Sequence, residues 1–258
     1  MTRIMVEGQQ GTHGERFAGC RVVATGAARG IGVDIVRRFA AEGAEIAILD
    51  RLLDEATDVA DSIGGHPVAC DLADVASTTA AMDAAIDALG GIDILVNNAG
   101  IFSITPLLDI TADEWDKVFA INTRAMLLTT QIAARAMISQ QTGGKIVNTA
   151  SMGGKVAAGG QAHYAASKAA VISLTQASAA ELGVHGINVN AVCPGYVLTE
   201  MGADTRTPEM IAEWSAKSPL GRLASPDDVA SMTLFLASDD ANYCTGQAMN
   251  VTGGMIFH

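Results

Sequence analysis

The sequence predicts an α/β fold built on a parallel sheet, with helices on both of its faces. Three observations predict it. Apolar runs of strand length alternate with segments of helical length along most of the 258 residues. Strand-like runs such as VVAT and ILV are apolar throughout, as strands buried on both sides are. Seven such runs alternate with helices, and no linker or low-complexity tract interrupts them, so the chain reads as one domain over 19–258 after an N-terminal extension at 1–18.

The elements follow in order. CRVVAT (20–25) is a short strand, and GIGVDIVRRFAAEG (30–43) has helically spaced apolar positions and a terminating glycine. AEIAILD (44–50) is a strand ending in an acid, RLLDEATDVADSIG (51–64) a helix, and HPVACDL (66–72) a short strand. DVASTTAAMDAAIDALG (74–90) is helical, and IDILVNNAG (92–100) is a strand running into a loop. The run 111–140 reads as one long helix, opening on Thr111 with Glu114 three residues later, a capping box. GKIVNTAS (144–151) is a strand, 161–183 a long helix closed by Gly183, and INVNAVCPG (187–195) a strand. The helix at 225–238 starts from Ser225 with Pro226 at its first position, and TGQAMNVTGG (245–254) supplies the last strand. Residues 196–222 break the pattern after a strand's C-terminal end, where α/β folds bind ligands, and are expected to form a lid.

The net charge of −12 disfavours nucleic acid or an anionic membrane as partner. No apolar run approaches the roughly 18 residues of a membrane span. Cys20, Cys70 and Cys193 lie in or beside apolar runs and read as buried free thiols, and Cys244 stands apart. The five histidines lack ligand spacing, so no metal is expected. The N-terminus has no signal-peptide pattern, and the cytoplasm is the expected compartment.

TGAARGIG (25–32) joins the first strand to the first helix, the context that a dinucleotide-binding turn requires. Gly26 permits the turn, Gly30 and Gly32 let backbone approach a pyrophosphate, and the helix N-terminus meets its charge. Arg29 can also meet phosphate, and Ile31 joins the cofactor-binding set. Asp50 ends the second strand, where an acid accepts hydrogen bonds from ribose hydroxyls and repels a 2′-phosphate. This predicts NAD rather than NADP, although Arg51 follows directly and partly offsets the repulsion. Asp71, with Leu72 beside it, closes the third strand and either reaches the adenine edge or forms an Asx turn.

Together these residues resemble the short-chain dehydrogenase/reductase family. TGAARGIG matches its glycine motif, NNAG (97–100) its fourth-strand motif, and Pro194–Gly195 the turn after its sixth strand. Asn122, Ser151, Tyr164 and Lys168 match its catalytic set. The resemblance runs from about Cys20 to Gly254 and implies a Rossmann-type, doubly wound fold with strand order 3-2-1-4-5-6-7, a nicotinamide cofactor and a homotetramer. It also implies that Lys168 bonds the nicotinamide ribose, that Asn122 kinks its helix and binds a water, and that Thr199 and the Val197 backbone hold the carboxamide. Asn98, Ala99 and Gly100 are expected to form a backbone wall beside the cofactor.

On a helix, Tyr164 and Lys168 share a face. The ammonium is expected to lower the phenol pKa from about 10, so that Tyr164 removes the proton of an alcohol as hydride leaves. Ser151 would hold the substrate oxygen. Pocket candidates are Phe102, Ser103, Met152, Gly153, Gly154, His163, Tyr196 and Trp214, with His163 turned away from the reaction. The expected activity is NAD-linked oxidation of a secondary alcohol such as a polyol or sugar alcohol, a small-molecule alcohol/carbonyl pair. Alternatives are an NADPH-dependent 3-oxoacyl thioester reductase and a cofactor-binding scaffold without turnover.

Overall fold

The computed structural model describes residues 14–199 and 207–258. Seven parallel strands form one sheet in the order β3-β2-β1-β4-β5-β6-β7. They are β1 (Arg21–Thr25), β2 (Glu45–Asp50), β3 (His66–Ala69), β4 (Ile94–Asn97), β5 (Gly144–Thr149), β6 (Ile187–Pro194) and β7 (Ala248–Val251). The connecting helices are α1 (Gly30–Ala41), α2 (Leu53–Ile63), α3 (Val75–Leu89), α4 (Ala112–Phe119), α5 (Ala125–Gln140), α6 (Ala162–Leu182), α7 (Pro208–Ala216) and α8 (Pro226–Ala237).

Successive strand residues point to opposite faces, and each face has its own core. Val22, Ala24, Ile46, Ile48, Val96 and Val192 pack under α1, α2 and α8. Val23, Leu49, Leu95, Ile146 and Val189 pack under α3, α5 and α6. Both faces are covered, which is why the strands are apolar throughout.

Helix α1 illustrates what holds the elements. Its N-cap, Arg29, makes no side-chain cap hydrogen bond, which forgoes about 1 kcal/mol. Burial of Ile35, Val36 and Phe39 contributes about 1.5–3 kcal/mol each, so packing holds the helix and leaves its N-terminal amides open to a ligand.

The run expected as one helix at 111–140 is continuous but changes its hydrogen-bond pattern. Between α4 and α5 lies one π-turn, Ala120–Arg124, centred on buried Asn122. The expected capping box is half made. Thr111 Oγ1 accepts from Glu114 N at 3.1 Å, but the Glu114 carboxylate turns to the loop after β4 instead.

Helix α7 was not expected within 196–222. Thr207 caps it and Pro208 starts it, a signal that the charged and polar residues around it obscured. Residues 200–206 of the expected lid, and 1–13 of the expected extension, lie outside the described residues. Arg16 pairs with buried Glu42 at 2.6 Å, and buried Phe17 meets Phe39 edge-on. Cys70 and Cys193 are buried, as expected, but Cys20 is only partly covered. No helix among the described residues is long and apolar enough to cross a membrane.

Candidate active site

The C-terminal ends of β1, β2, β4, β5 and β6 converge on one edge of the sheet, across the point where strand order reverses between β1 and β4. Each candidate residue lies on or just after one of these ends, or on a helix that follows, except Asp71 and Leu72, which follow β3.

The glycine turn is stitched to the loop after β4. Thr25 Oγ1 accepts from Asn98 N at 3.1 Å and Ala99 N at 3.2 Å, and Asn98 Nδ2 donates to Gly26 O at 2.8 Å. Gly26 has a φ of +63°, and a Cβ there would lie 2.6 Å from Ala99 Cα. The role expected for Gly32 differs. A Cβ there would collide with Gly26 O, so its missing side chain serves helix-to-turn packing rather than approach of a pyrophosphate. Gly30 faces the Thr199 side chain, which brings the segment after β6 over the turn. Ile31 and Val197 pack against the core.

Asp50 lies at the end of β2. Its Oδ2 accepts from Ala28 N at 3.1 Å and its Oδ1 from Leu52 N at 3.1 Å, which leaves acceptor capacity on both oxygens. Arg29 pairs with Glu55 at 2.6 Å, while Arg51 is exposed beside Asp50. Asp71 lies beyond β3 rather than closing it, and its Oδ1 accepts from Ala73 N at 2.9 Å, an Asx turn. Leu72 packs into the core, leaving only its backbone for a ligand. The donor set fits a dinucleotide: open helix amides for a pyrophosphate and a carboxylate with spare lone pairs for a ribose.

On the other side of the sheet edge, Asn122 Oδ1 accepts from Ile101 N at 2.8 Å, and its Nδ2 donates to Ile101 O at 3.0 Å and Ser167 Oγ at 3.0 Å. The π-turn is what aims this side chain at the loop. A Cβ on Gly100 would lie 3.2 Å from Lys168 Nζ and 3.3 Å from Asn122 Oδ1, so these two groups meet across a glycine. Lys168 is buried and donates to Thr149 O at 2.7 Å. Its Nζ lies 5.9 Å from the Tyr164 ring centroid. Ser151 follows β5, accepts from Gly153 N at 3.0 Å and hydrogen-bonds the Tyr164 phenol. Gly195 follows Pro194, and its amide donates to Val251 O at 3.0 Å.

The electrostatics depart from expectation. Burial pushes the Tyr164 phenol above its ordinary value, with the Ser151 hydrogen bond pulling the other way. Burial brings Lys168 down to about 8. The expected lowering of the tyrosine is therefore not seen here, because desolvation outweighs the Ser151 hydrogen bond.

The pocket candidates divide. Phe102 meets Tyr164 edge-on at 4.9 Å, and Tyr196 stacks on Trp214 at 4.6 Å. A Cβ on Gly153 would contact Tyr164, and Met152 Sδ lies near Gly195. Gly154 packs on the α6 backbone, and His163 is buried behind the site with Ser103. Thr105 and Thr149 went unnoticed in the sequence, and Glu114 was read only as a capping residue, since their roles depend on contacts that no local spacing reveals.

Comparison with known proteins agrees with this geometry. A family model described as enoyl-(acyl carrier protein) reductase matches residues 26–256. The chain is 42% identical over 248 residues to galactitol 2-dehydrogenase of Agrobacterium fabrum, covering 89% of this chain and 94% of that protein. It is 41% identical over 253 residues to sorbitol dehydrogenase of Cereibacter sphaeroides, covering 93% and 98%. The crystal structure of a short-chain type dehydrogenase/reductase from Mycobacterium marinum is 38% identical, with a TM-score of 0.89 and coverage of 95% and 98%. With the fold, the sheet-edge site and these likenesses over nearly its whole length, the chain belongs to the short-chain dehydrogenase/reductase family, oxidoreductases that use a nicotinamide cofactor.

Proposed function

We propose that this enzyme oxidises a secondary alcohol of a polyol or sugar alcohol, with NAD as cofactor and Tyr164 as acid/base. The observation that carries the cofactor choice is Asp50, held at the mouth of the glycine turn by Ala28 N and Leu52 N with lone pairs to spare. A 2′-phosphate beside this carboxylate is repelled, and the pairing of Arg29 with Glu55 draws one nearby cation toward an acid. The names of the galactitol and sorbitol dehydrogenases support the substrate class.

When bound, the nicotinamide supplies acceptance of hydride. The glycine turn and α1 would hold its pyrophosphate, Asp50 its adenosine ribose, and Thr199 and Val197 its carboxamide end. Ser151 would hold the substrate oxygen, and Tyr164 would take the hydroxyl proton as its phenolate, a form that burial disfavours and the Ser151 hydrogen bond favours. Lys168 and Asn122 flank Gly100 and position the proton path behind the tyrosine. Tyr196 and Trp214, stacked on each other, would form an apolar wall of the pocket. The enzyme would work in the cytoplasm as a homotetramer, for which exposed apolar side chains on α4 and α5, including Trp115 and Leu127, supply a surface.

A second reading, reduction of an acyl thioester with NADPH, is supported by the description of the matching family model. The charge of −12 opposes docking of an acidic carrier.

Fluorescence titration with NADH and NADPH, and steady-state assays with galactitol and sorbitol, test the proposal. Preference for NADH and NAD-linked turnover of either polyol support it. Preference for NADPH with reduction of acetoacetyl-CoA overturns it. Asp50→Ala should weaken NADH binding about tenfold and narrow the gap to NADPH, consistent with loss of a charge-assisted hydrogen bond.

A further inference from the structure

The loop leaving β4 carries Phe102, whose ring meets Tyr164 at 84°. Phe102 is 37% exposed, so burial alone does not hold it. A polar cluster behind it holds the loop. Ser103 Oγ lies 2.7 Å from His163 Nε2 and 2.9 Å from Glu114 Oε1, and Thr105 Oγ1 donates to the same carboxylate oxygen at 2.7 Å. His163 Nε2 lies 3.2 Å from that oxygen.

His163 is fully buried, and its Nδ1 has no hydrogen-bond partner among the described residues. A buried imidazole with one nitrogen unsatisfied is costly, and alanine would serve the helix better, so the residue is not packing filler. We assign the proton to Nε2, since a bare lone pair on Nδ1 costs less than a buried N–H without an acceptor. Nε2–H then donates to Ser103, and the Ser103 and Thr105 hydroxyls donate to Glu114. Those two hydroxyls, Thr105 first, hold the Glu114 carboxyl below its usual range, so it is the anion that anchors the cluster.

We propose that His163 is a positioning residue which, through Ser103 and Glu114, clamps the loop after β4 so that Phe102 stands against Tyr164 and forms a specificity-determining wall of the substrate pocket. The inference rests on the reading of Tyr164 as the acid/base of alcohol oxidation. It joins three elements: the loop after β4, the first turn of α4 and the first turn of α6.

The titratable and charged groups facing the Tyr164 phenol are Lys168 on its own helix and Cys193 from β6, and neither belongs to the clamp. Loosening Phe102 therefore changes chiefly the access of water to the phenol. The test uses the full chain with His163→Leu, which keeps bulk and removes the hydrogen bonds, and Ser103→Ala, which leaves His163 and Glu114 in place. Tyrosinate absorbance is titrated against the same proteins carrying Tyr164→Phe. The phenol should ionise about one pH unit lower when the clamp is broken, as desolvation is relieved. With galactitol as substrate, KM should rise about tenfold while kcat stays within about threefold and NADH affinity is unchanged.

Unchanged titration and unchanged KM in either folded variant overturn the proposal. So does a parallel fall of kcat and thermal stability with KM constant, which marks a merely structural histidine. If the wild type oxidises neither galactitol nor sorbitol, the polyol reading fails, while the phenol titration still decides the clamp.

Discussion

Lys168 is 3% exposed, and among the described residues its ammonium donates to a carbonyl, Thr149 O. Desolvation lowers it from 10.5 to about 8, so the folded protein releases this proton while an unfolded chain retains it to about 10.4. Between these values the unfolded state binds more protons, and stability gained from this residue rises with pH. Urea midpoints of wild type and Lys168→Met from pH 7 to 10 check the sign. The wild type should gain on the variant as pH passes 8, and a constant difference sinks the argument. Tyr164, half-buried and bonded to Ser151, carries the hydroxyl proposed for proton exchange with substrate. Tyr164→Phe should retain NADH binding and lose about 10³-fold in kcat, the usual scale of acid/base catalysis. Turnover near the wild-type rate assigns the chemistry elsewhere.

At the scale of elements, the α4–α5 helix is interrupted by a π-turn at Asn122. A regular helix through Asn122 would satisfy its own backbone. The π-turn instead aims the amide at Ile101, and both amide atoms are used on that residue. Asn122→Ala leaves the Ile101 amide and the Ser167 hydroxyl short of partners and should cost about 1–3 kcal/mol. Hydrogen exchange at residues 98–101 should rise with it, and unchanged protection there argues against the anchor. Helix α8 makes the contrast: Ser225 and Asp228 complete a capping box, and Arg222 bonds both Asp228 oxygens, so its start is specified locally.

Across the whole molecule, the centre of the sheet is joined by a buried polar chain. Asn97 Nδ2 donates to Asn148 Oδ1 at 2.9 Å across β4 and β5, Thr129 Oγ1 donates to Asn97 Oδ1 at 2.7 Å from α5, and Asn148 Nδ2 donates to Thr175 Oγ1 at 2.9 Å in α6. Apolar strands can slip against one another without losing much burial, but these donors and acceptors match in only one register. Asn148→Ala should lower the melting temperature by roughly 5 °C, and calorimetry checks it; an unchanged midpoint means the chain is neutral to stability.

Read alone, the sequence determined the alternation of strands and helices, because burial on both faces leaves a continuous apolar signature that needs no partner to be seen. The turn at Gly26, the acid at Asp50 and the Tyr164–Lys168 pair were legible for the same reason: their geometry is local. Tertiary structure decided the rest. The phenol and ammonium of that pair are governed by desolvation, with Ser151 and Cys193 from other strands and loops acting on them besides. Glu114 looks like half of a capping box until Ser103, Thr105 and His163 come to it from a loop and a helix 9 to 60 residues away from their partners. Such contacts follow from packing, and spacing along the chain carries no trace of them.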